Sequence, residues 1–185
     1  RTASPNGGAD GNAANDAVTV TAHDPALSGS YTLGGGGTFA SFDAAIDTMV
    51  KVGVCGDVFL NVLTGSYNEK IVVPYIDGVE GTPSAAGPFR VYFQAQTGDS
   101  SDVTLGFASS SGIAANYTVQ FDGAINVTFR RMTLERTGGL NYSRVVDVTN
   151  DSKNLVFENL ELIGSSNASF LSSNQQALIY SGSTT

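Results

Sequence analysis

Short runs in which apolar and polar residues alternate fill most of this chain. VFLNV (58–62), KIVVP (70–74), VYFQAQ (91–96), DVTLGF (102–107) and TVQFD (118–122) are examples, each followed within three residues by Gly, Asp or Ser. A period of two places successive side chains on opposite faces of an extended strand, so these runs predict strands with one face in a core. One stretch breaks the rule. In TFASFDAAIDTMVKVG (38–53), Phe39, Phe42, Ile46, Met49 and Val50 recur at helical spacing, Ser41 fits an N-cap and Gly53 a C-terminal cap. One short amphipathic helix is expected there, preceded by a strand at VTVTA (18–22), with only strands and turns after it.

The later strands repeat. When YTVQFDGAINVTFRRMTLERTG, from Tyr117, is set above RVVDVTNDSKNLVFENLELIG, from Arg144, Val119 and Phe121 fall over Val146 and Val148. After a slip of one residue, Asn126, Val127, Phe129, Met132 and Leu134 fall over Asn154, Leu155, Phe157, Leu160 and Leu162. A period of 27 to 28 residues signals a stack of structural repeats, in which the inward residues of one coil pack on those of the next. Weaker copies pair VFLNV with KIVVP and VYFQAQ with DVTLGF as first and second strands. The expected fold is all-β, a right-handed parallel β-helix with one short N-terminal helix covering its first coil. At the other end, Leu178 and Tyr180 of LIYSGSTT match the inward positions of a new first strand that the sequence does not complete. The expectation is that the domain, residues 17–185, continues in a longer parent protein, with further coils or another chain at that edge.

Composition narrows the function. Nine Lys and Arg against 17 Asp and Glu leave a net charge of -8, which argues against nucleic acid and anionic membranes as partners, because phosphate binding needs clustered cations. Arg130-Arg131 is the one basic cluster. No apolar run approaches the roughly 20 residues of a membrane span. Residues 1–16, rich in Gly, Asn, Ala and Asp, read as a flexible linker whose Asp10 and Asp16 do not match a calcium loop. The single Cys55 permits no internal disulfide and reads as a small buried hydrophobe, since the lone His23 is far from it in sequence.

Polar residues that alternate with the inward set form the candidate ligand-binding face: Asn61, Tyr92, Gln94, Gln120, Asp122 and Asp147, with Thr149 beside them. On successive coils about 4.8 Å apart, such amides, carboxylates and one ring could hydrogen-bond sugars, or form only the solvated face that every such stack possesses. Asp122 and Asp147 could act as an acid and base pair only at a separation suited to a glycosidic bond. No residue is assigned as catalytic, and no metal or cofactor is implied. The triplets at Asn116, Asn126, Asn141, Asn150 and Asn167 match glycosylation acceptors but read as turn chemistry. Outward threonines such as Thr104, Thr128 and Thr133 lack the coil-after-coil array that ice binding would need.

Two resemblances follow from particular residues. GSYNEKIVVP (65–74) resembles the glycine, aromatic and glutamate that open strands of pectin methylesterases and pectate lyases, while the later esterase motifs are missing. Here Tyr67 is expected to cover the core edge and Glu69 to satisfy turn amides or an exposed column. More broadly, SYTLGGGGTFASFDAAID, VCGDVFLNVLTGSYNEKIVV, FQAQTGDSSDVTL, NYTVQFDGAINVTFRRMTLERTG and YSRVVDV resemble the β-helix modules of large secreted Bacteroidetes surface proteins and adhesins, often exported by the type IX system. That resemblance implies a secreted or cell-surface, non-catalytic module, a stiff spacer able to contact a polysaccharide or surface glycan. A carbohydrate-active enzyme of the lyase or esterase type is the alternative.

Overall fold

The computed structural model describes residues 24–81, 87–166 and 175–182. The expected strand at 18–22, the linker 1–16 with Asp10 and Asp16, His23 and the triplet at Asn167 lie outside the described residues.

Strand β1 (Leu27–Leu33) precedes helix α1 (Phe42–Val52). Four circuits of three strands follow. They are β2 (Val54–Val62), β3 (Gly65–Asn68) and β4 (Ile71–Pro74); β5 (Val91–Ala95), β6 (Val103–Ala108) and β7 (Val119–Asp122); β8 (Val127–Arg130), β9 (Thr133–Thr137) and β10 (Val146–Thr149); and β11 (Val156–Glu158), β12 (Glu161–Ile163) and β13 (Ile179–Ser181). The chain visits three sheets in fixed rotation. Sheet A has the order β1-β2-β5-β8-β11, sheet B β12-β9-β6-β3 and sheet C β13-β10-β7-β4. All strand pairs in these sheets are parallel, so the described residues are all-β apart from α1 and two short 3-10 turns at Ser100–Asp102 and Ile113–Ala115.

The repeat register holds. Val119 and Phe121 pair with Val146 and Val148, Phe129 with Phe157 and Leu134 with Leu162. The slip falls in the connection between sheets C and A, where Asn126 and Asn154 both take left-handed backbone angles, φ 57° and 56°. Asparagine tolerates that region better than most residues. The amide of Asn154 donates to Oδ1 of Asn126 at 3.1 Å, and Asn126 donates in turn to the Val79 carbonyl at 3.0 Å. Outward Arg130 faces Glu158 across neighbouring strands, N to O 3.8 Å, as the 28-residue offset requires.

The core runs along the stack rather than across one layer. Phe42 of α1 stacks on Phe93, with ring centroids 5.8 Å apart, Phe93 on Phe129 at 4.6 Å, and Phe121 meets Phe129 and Phe157 edge-on at 5.6 and 5.7 Å. Phe93, Phe121 and Phe129 have no exposed surface. Helix α1 packs against β4 and β1, burying Phe42, Ala45, Ile46 and Met49. Ser41 caps its start by accepting the Ala44 amide at 3.1 Å, and the Gly53 amide closes it on the Met49 carbonyl at 2.8 Å.

Several sequence expectations need correction. KIVVP is the third strand of its circuit, not the second, because β3 stands between: VFLNV and VYFQA belong to sheet A with β8 and β11, whereas KIVVP belongs to sheet C with β7 and β10. Alternation over four or five residues looks the same in every sheet, so period alone could not tell them apart. Phe39 lies before the helix in an isolated bridge to Leu33, and Val50 faces solvent while Ala45 takes the inward place. Cys55 is half-buried, its thiol donating to the Ala26 carbonyl at 3.4 Å. In β13, Ile179 pairs with Val146 and Tyr180 with Asp147, so Tyr180 points outward, one residue off the predicted register, and Leu178 is exposed. Val148, Leu155, Phe157, Leu160 and Leu162 pack against the core but are only partly buried, since they stand in the last described circuits.

Phe129 touches two aromatic rings of the previous circuit, Phe93 and Phe121, so Phe129→Ala leaves a cavity with little means of collapse. The expected loss is about 3–5 kcal/mol in urea unfolding. A loss below about 1 kcal/mol, the range of surface changes, would contradict the stacked core.

Candidate functional site

The six residues of the expected ligand-binding strip divide between two sheets. Asn61 in β2 with Tyr92 and Gln94 in β5 lie on sheet A, while Gln120 and Asp122 in β7 with Asp147 in β10 lie on sheet C. The single continuous face is therefore corrected to two, for the reason that mispaired the weaker repeats. Within each sheet the register does bring the residues together.

On sheet A the outward rows are Phe59–Tyr92–Thr128–Val156 and Asn61–Gln94–Arg130–Glu158. Gln94 donates to Oδ1 of Asn61 at 2.7 Å and accepts from Nε of Arg130 at 2.7 Å, and Arg130 faces Glu158. The Phe59 and Tyr92 rings stack 4.6 Å apart, and the Arg130 guanidinium lies 4.9 Å from the centre of Tyr92. Arg90, at the start of β5, reaches across two strands: its Nη1 donates to Thr128 Oγ1 at 3.1 Å and to the Asn154 carbonyl at 2.9 Å, which buries Thr128. A polar ladder thus runs along four strands, with each amide held by the next.

Sheet C is organised by a buried ion pair. Arg144, in the connection before β10, donates from Nη1 to Oδ1 of Asp147 at 2.8 Å, and both side chains are more than nine-tenths buried. Gln120 donates to the other Asp147 oxygen at 3.0 Å, and the guanidinium sits 3.6 Å from the centre of the Tyr180 ring. Asp122 instead accepts from the side-chain amide of Asn150. The two carboxylates proposed as an acid and base pair therefore have separate partners, and Asp147 is clamped by an arginine.

Two arginines were not foreseen. Arg144 is one; Arg136 in β9 is the other, pointing inward beside Leu134 with 1% of its surface exposed. Its guanidinium donates to the carbonyls of Tyr117 and, at 3.2 Å, Tyr142, and burial pulls its pKa down to about 10, so it remains a cation at neutral pH. The signal was legible, because Arg136 holds an inward place in the alternation of TLERT.

GSYNEK proves to be a clasp for the helix. Tyr67 donates to the Leu63 carbonyl at 2.7 Å and meets Phe42 edge-on at 5.3 Å. Glu69 accepts the Asp43 amide at 3.2 Å in the first turn of α1, where exposed N–H groups favour an anion. Burial nevertheless raises the Glu69 pKa, the helix amides only partly opposing it, and desolvation with the neighbouring Asp47 raises that of Asp43. Among the described residues no group of three or more His, Cys, Asp or Glu side chains could hold a metal ion, and no helix is long and apolar enough to cross a membrane.

At the turn from sheet A to sheet B lies an open groove of about 500 Å3, lined by Thr97, Gly98, Asp99, Ser100, Arg131 and Asn159. A second hollow of about 430 Å3 lies at the turn after β10 and β13, lined by residues that include Asn150, Asp151 and Ser181.

Two predictions follow from these charges. Asp147→Ala strands the buried Arg144 cation and should cost about 3–5 kcal/mol of stability, whereas Arg144→Met with Asp147→Leu should recover most of it. A single mutant as stable as the parent in urea unfolding would contradict a clamped pair. For Glu69, a folded pKa above the ordinary glutamate value of 4.5 means that ionisation is easier in the unfolded chain, so its contribution to stability is present at low pH and lost as pH rises through the folded pKa. Glu69→Gln keeps an acceptor for the amide without a charge. Its melting temperature should match the parent below pH 4.5, then exceed it by a margin that grows with pH and levels off; a gap independent of pH would contradict the assignment.

No protein-family profile, no curated protein and no solved structure matches this chain, so its function is argued from its own residues.

Proposed function

We propose that this chain is a right-handed parallel β-helix serving as a non-catalytic structural and adhesive module of a secreted or cell-surface protein, a stiff spacer whose outward surface contacts glycans. The observation that carries the reading is the polar ladder Asn61–Gln94–Arg130–Glu158, which joins four strands along the stack through side chains in addition to the backbone pairing. Bonds directed along the stacking axis resist bending and shear between neighbouring repeats, and that is the mechanical property a spacer needs. The three-sheet rotation and the 27- to 28-residue register support the β-helix architecture. Amides and hydroxyls on two long outward faces supply donors and acceptors of the kind that sugars use.

The lyase or esterase alternative draws on GSYNEK, and here Glu69 is committed to the first turn of α1 and Tyr67 to the Leu63 carbonyl. A pectin-type mechanism needs carboxylates or bound calcium converging with a base on one strand face. Asp147 and Asp122, the nearest carboxylates on sheet C, are held by Arg144 and Asn150 respectively.

The test is a glycan array on the purified protein, with polyuronate turnover measured on the same sample. Retention of a defined set of glycans with no release of unsaturated or de-esterified product is expected. Product formation above the buffer rate would replace this reading with the enzymatic one.

A further inference from the structure

Three turns that leave sheet A place a residue in the left-handed backbone region: Gly98 after β5 at φ 82°, Arg131 after β8 at 55° and Asn159 after β11 at 50°. Glycine and asparagine are the residues expected there, and arginine is not, because its β-carbon crowds the following carbonyl. Arg131 is nevertheless held in that geometry, its amide bonded to the Glu158 carbonyl at 3.0 Å. Its side chain is exposed and extends over Gly98, where a β-carbon would come within 3.7 Å of Nη1. Unlike Arg90, Arg130, Arg136 and Arg144, the Arg131 guanidinium has no hydrogen bond, ion pair or ring partner among the described residues. An unfavourable backbone position whose side chain makes no contact with another described group points to a role outside the chain.

The surroundings indicate the ligand. The groove under Arg131 also presents the Ser100 hydroxyl and the Asn159 amide, neither bonded to another described group, and the carboxylate of Asp99. Asp99 accepts from the Ser101 amide at 2.9 Å and its hydroxyl at 2.8 Å, which holds its pKa below the usual carboxylate range and keeps it an acceptor at neutral pH. Arg131 and Asp99 border one groove without pairing with each other. A ligand between them must therefore offer donors to one and acceptors to the other. A polyphosphate has too few donors for Asp99 and meets a chain of net charge -8. A sugar ring has both, its hydroxyls donating to Asp99 while a ring oxygen, vicinal diol or carboxylate accepts from the guanidinium.

We propose that the groove formed by Thr97, Asp99, Ser100, Arg131 and Asn159 is a saccharide-binding subsite in which Arg131 is the specificity-determining residue. The inference rests on the glycan-contacting reading above and locates it at a turn instead of a sheet face. Neutral and uronic sugars share the chemistry required, and oligomers of glucose and of galacturonate separate them: a preference for the latter assigns a carboxylate to Arg131.

Arg131→Gly is the decisive variant, because glycine suits the left-handed position and matches Gly98 in the neighbouring circuit. Its melting temperature should equal or exceed that of the parent, while binding to the glycans the parent retains falls at least tenfold. Lys51→Ala, on the exposed side of helix α1, should bind as the parent does. Parent-like binding by Arg131→Gly, or a drop in its melting temperature, would overturn the groove site while leaving a glycan-contacting face intact. A parent that retains no glycan, with either oligomer or on the array, overturns both.

Discussion

Parallel stacking of one circuit on the next is the constraint on which the remaining structure depends. Because every strand lies in register on its counterpart, an inward residue in one circuit fixes the size and polarity of the residue above it, and a turn fixes where the next three strands begin. Phe93, Phe129 and Phe157 share one position on three successive strands of sheet A, and Phe121 closes the gap between rings from sheet C. The stack carries this demand towards its N-terminal end, where Phe42 of α1 stacks on Phe93. GSYNEK serves the same end. Tyr67 and Glu69 hold the helix over the first strands of sheets B and C, so the backbone edge there is covered by an element whose own amides are satisfied.

The later circuits were legible in the sequence because their repeat carries two independent signals: alternating apolar residues and an asparagine at the same corner. Asn126 and Asn154 marked the slip between a spacing of 27 and one of 28, and both occupy left-handed positions joined by a side-chain bond. Helix α1 was legible from its caps. Earlier circuits were harder to read, because the segments joining β4 to β5 and β6 to β7 are long and no corner asparagine recurs. With only alternation to go on, strands of sheet A and sheet C were placed on one face. The candidate strip of Asn61, Tyr92, Gln94, Gln120, Asp122 and Asp147 inherited that error. Residues acting across circuits, such as Arg90 and Arg144, were invisible for another reason: their partners lie 64 and 3 positions away, and neither distance follows from a period.

The buried arginines show how the stack admits polarity without losing its core. Arg136 occupies an inward position where the pattern calls for an apolar side chain, yet it donates to backbone carbonyls of the two connections between sheets B and C. Carbonyls in irregular segments lack ladder partners, and a buried cation with several donors satisfies more of them than any neutral side chain can. Arg144 does the same work on the outer side of sheet C with a carboxylate as its anchor. Both arginines are thereby unavailable to anything outside the protein.

Recognition and stiffness make opposite demands on the same polar groups. An amide that bonds to the next circuit adds roughly 0.5–1.5 kcal/mol and a restraint along the axis, but it offers less to a ligand, which must first break that bond. On sheet A, Gln94 has both ends of its amide engaged and Arg130 is held by Gln94, Glu158 and the Tyr92 ring. The face is thus suited to transmit force. At the turns the chain leaves the ladder, and the Arg131 guanidinium, the Ser100 hydroxyl and the Asn159 side-chain amide make no bond to another described group. A stacked-strand protein that must be rigid along its length and still hold a ligand therefore has a physical reason to divide the tasks, with faces holding circuits together and corners left open for recognition.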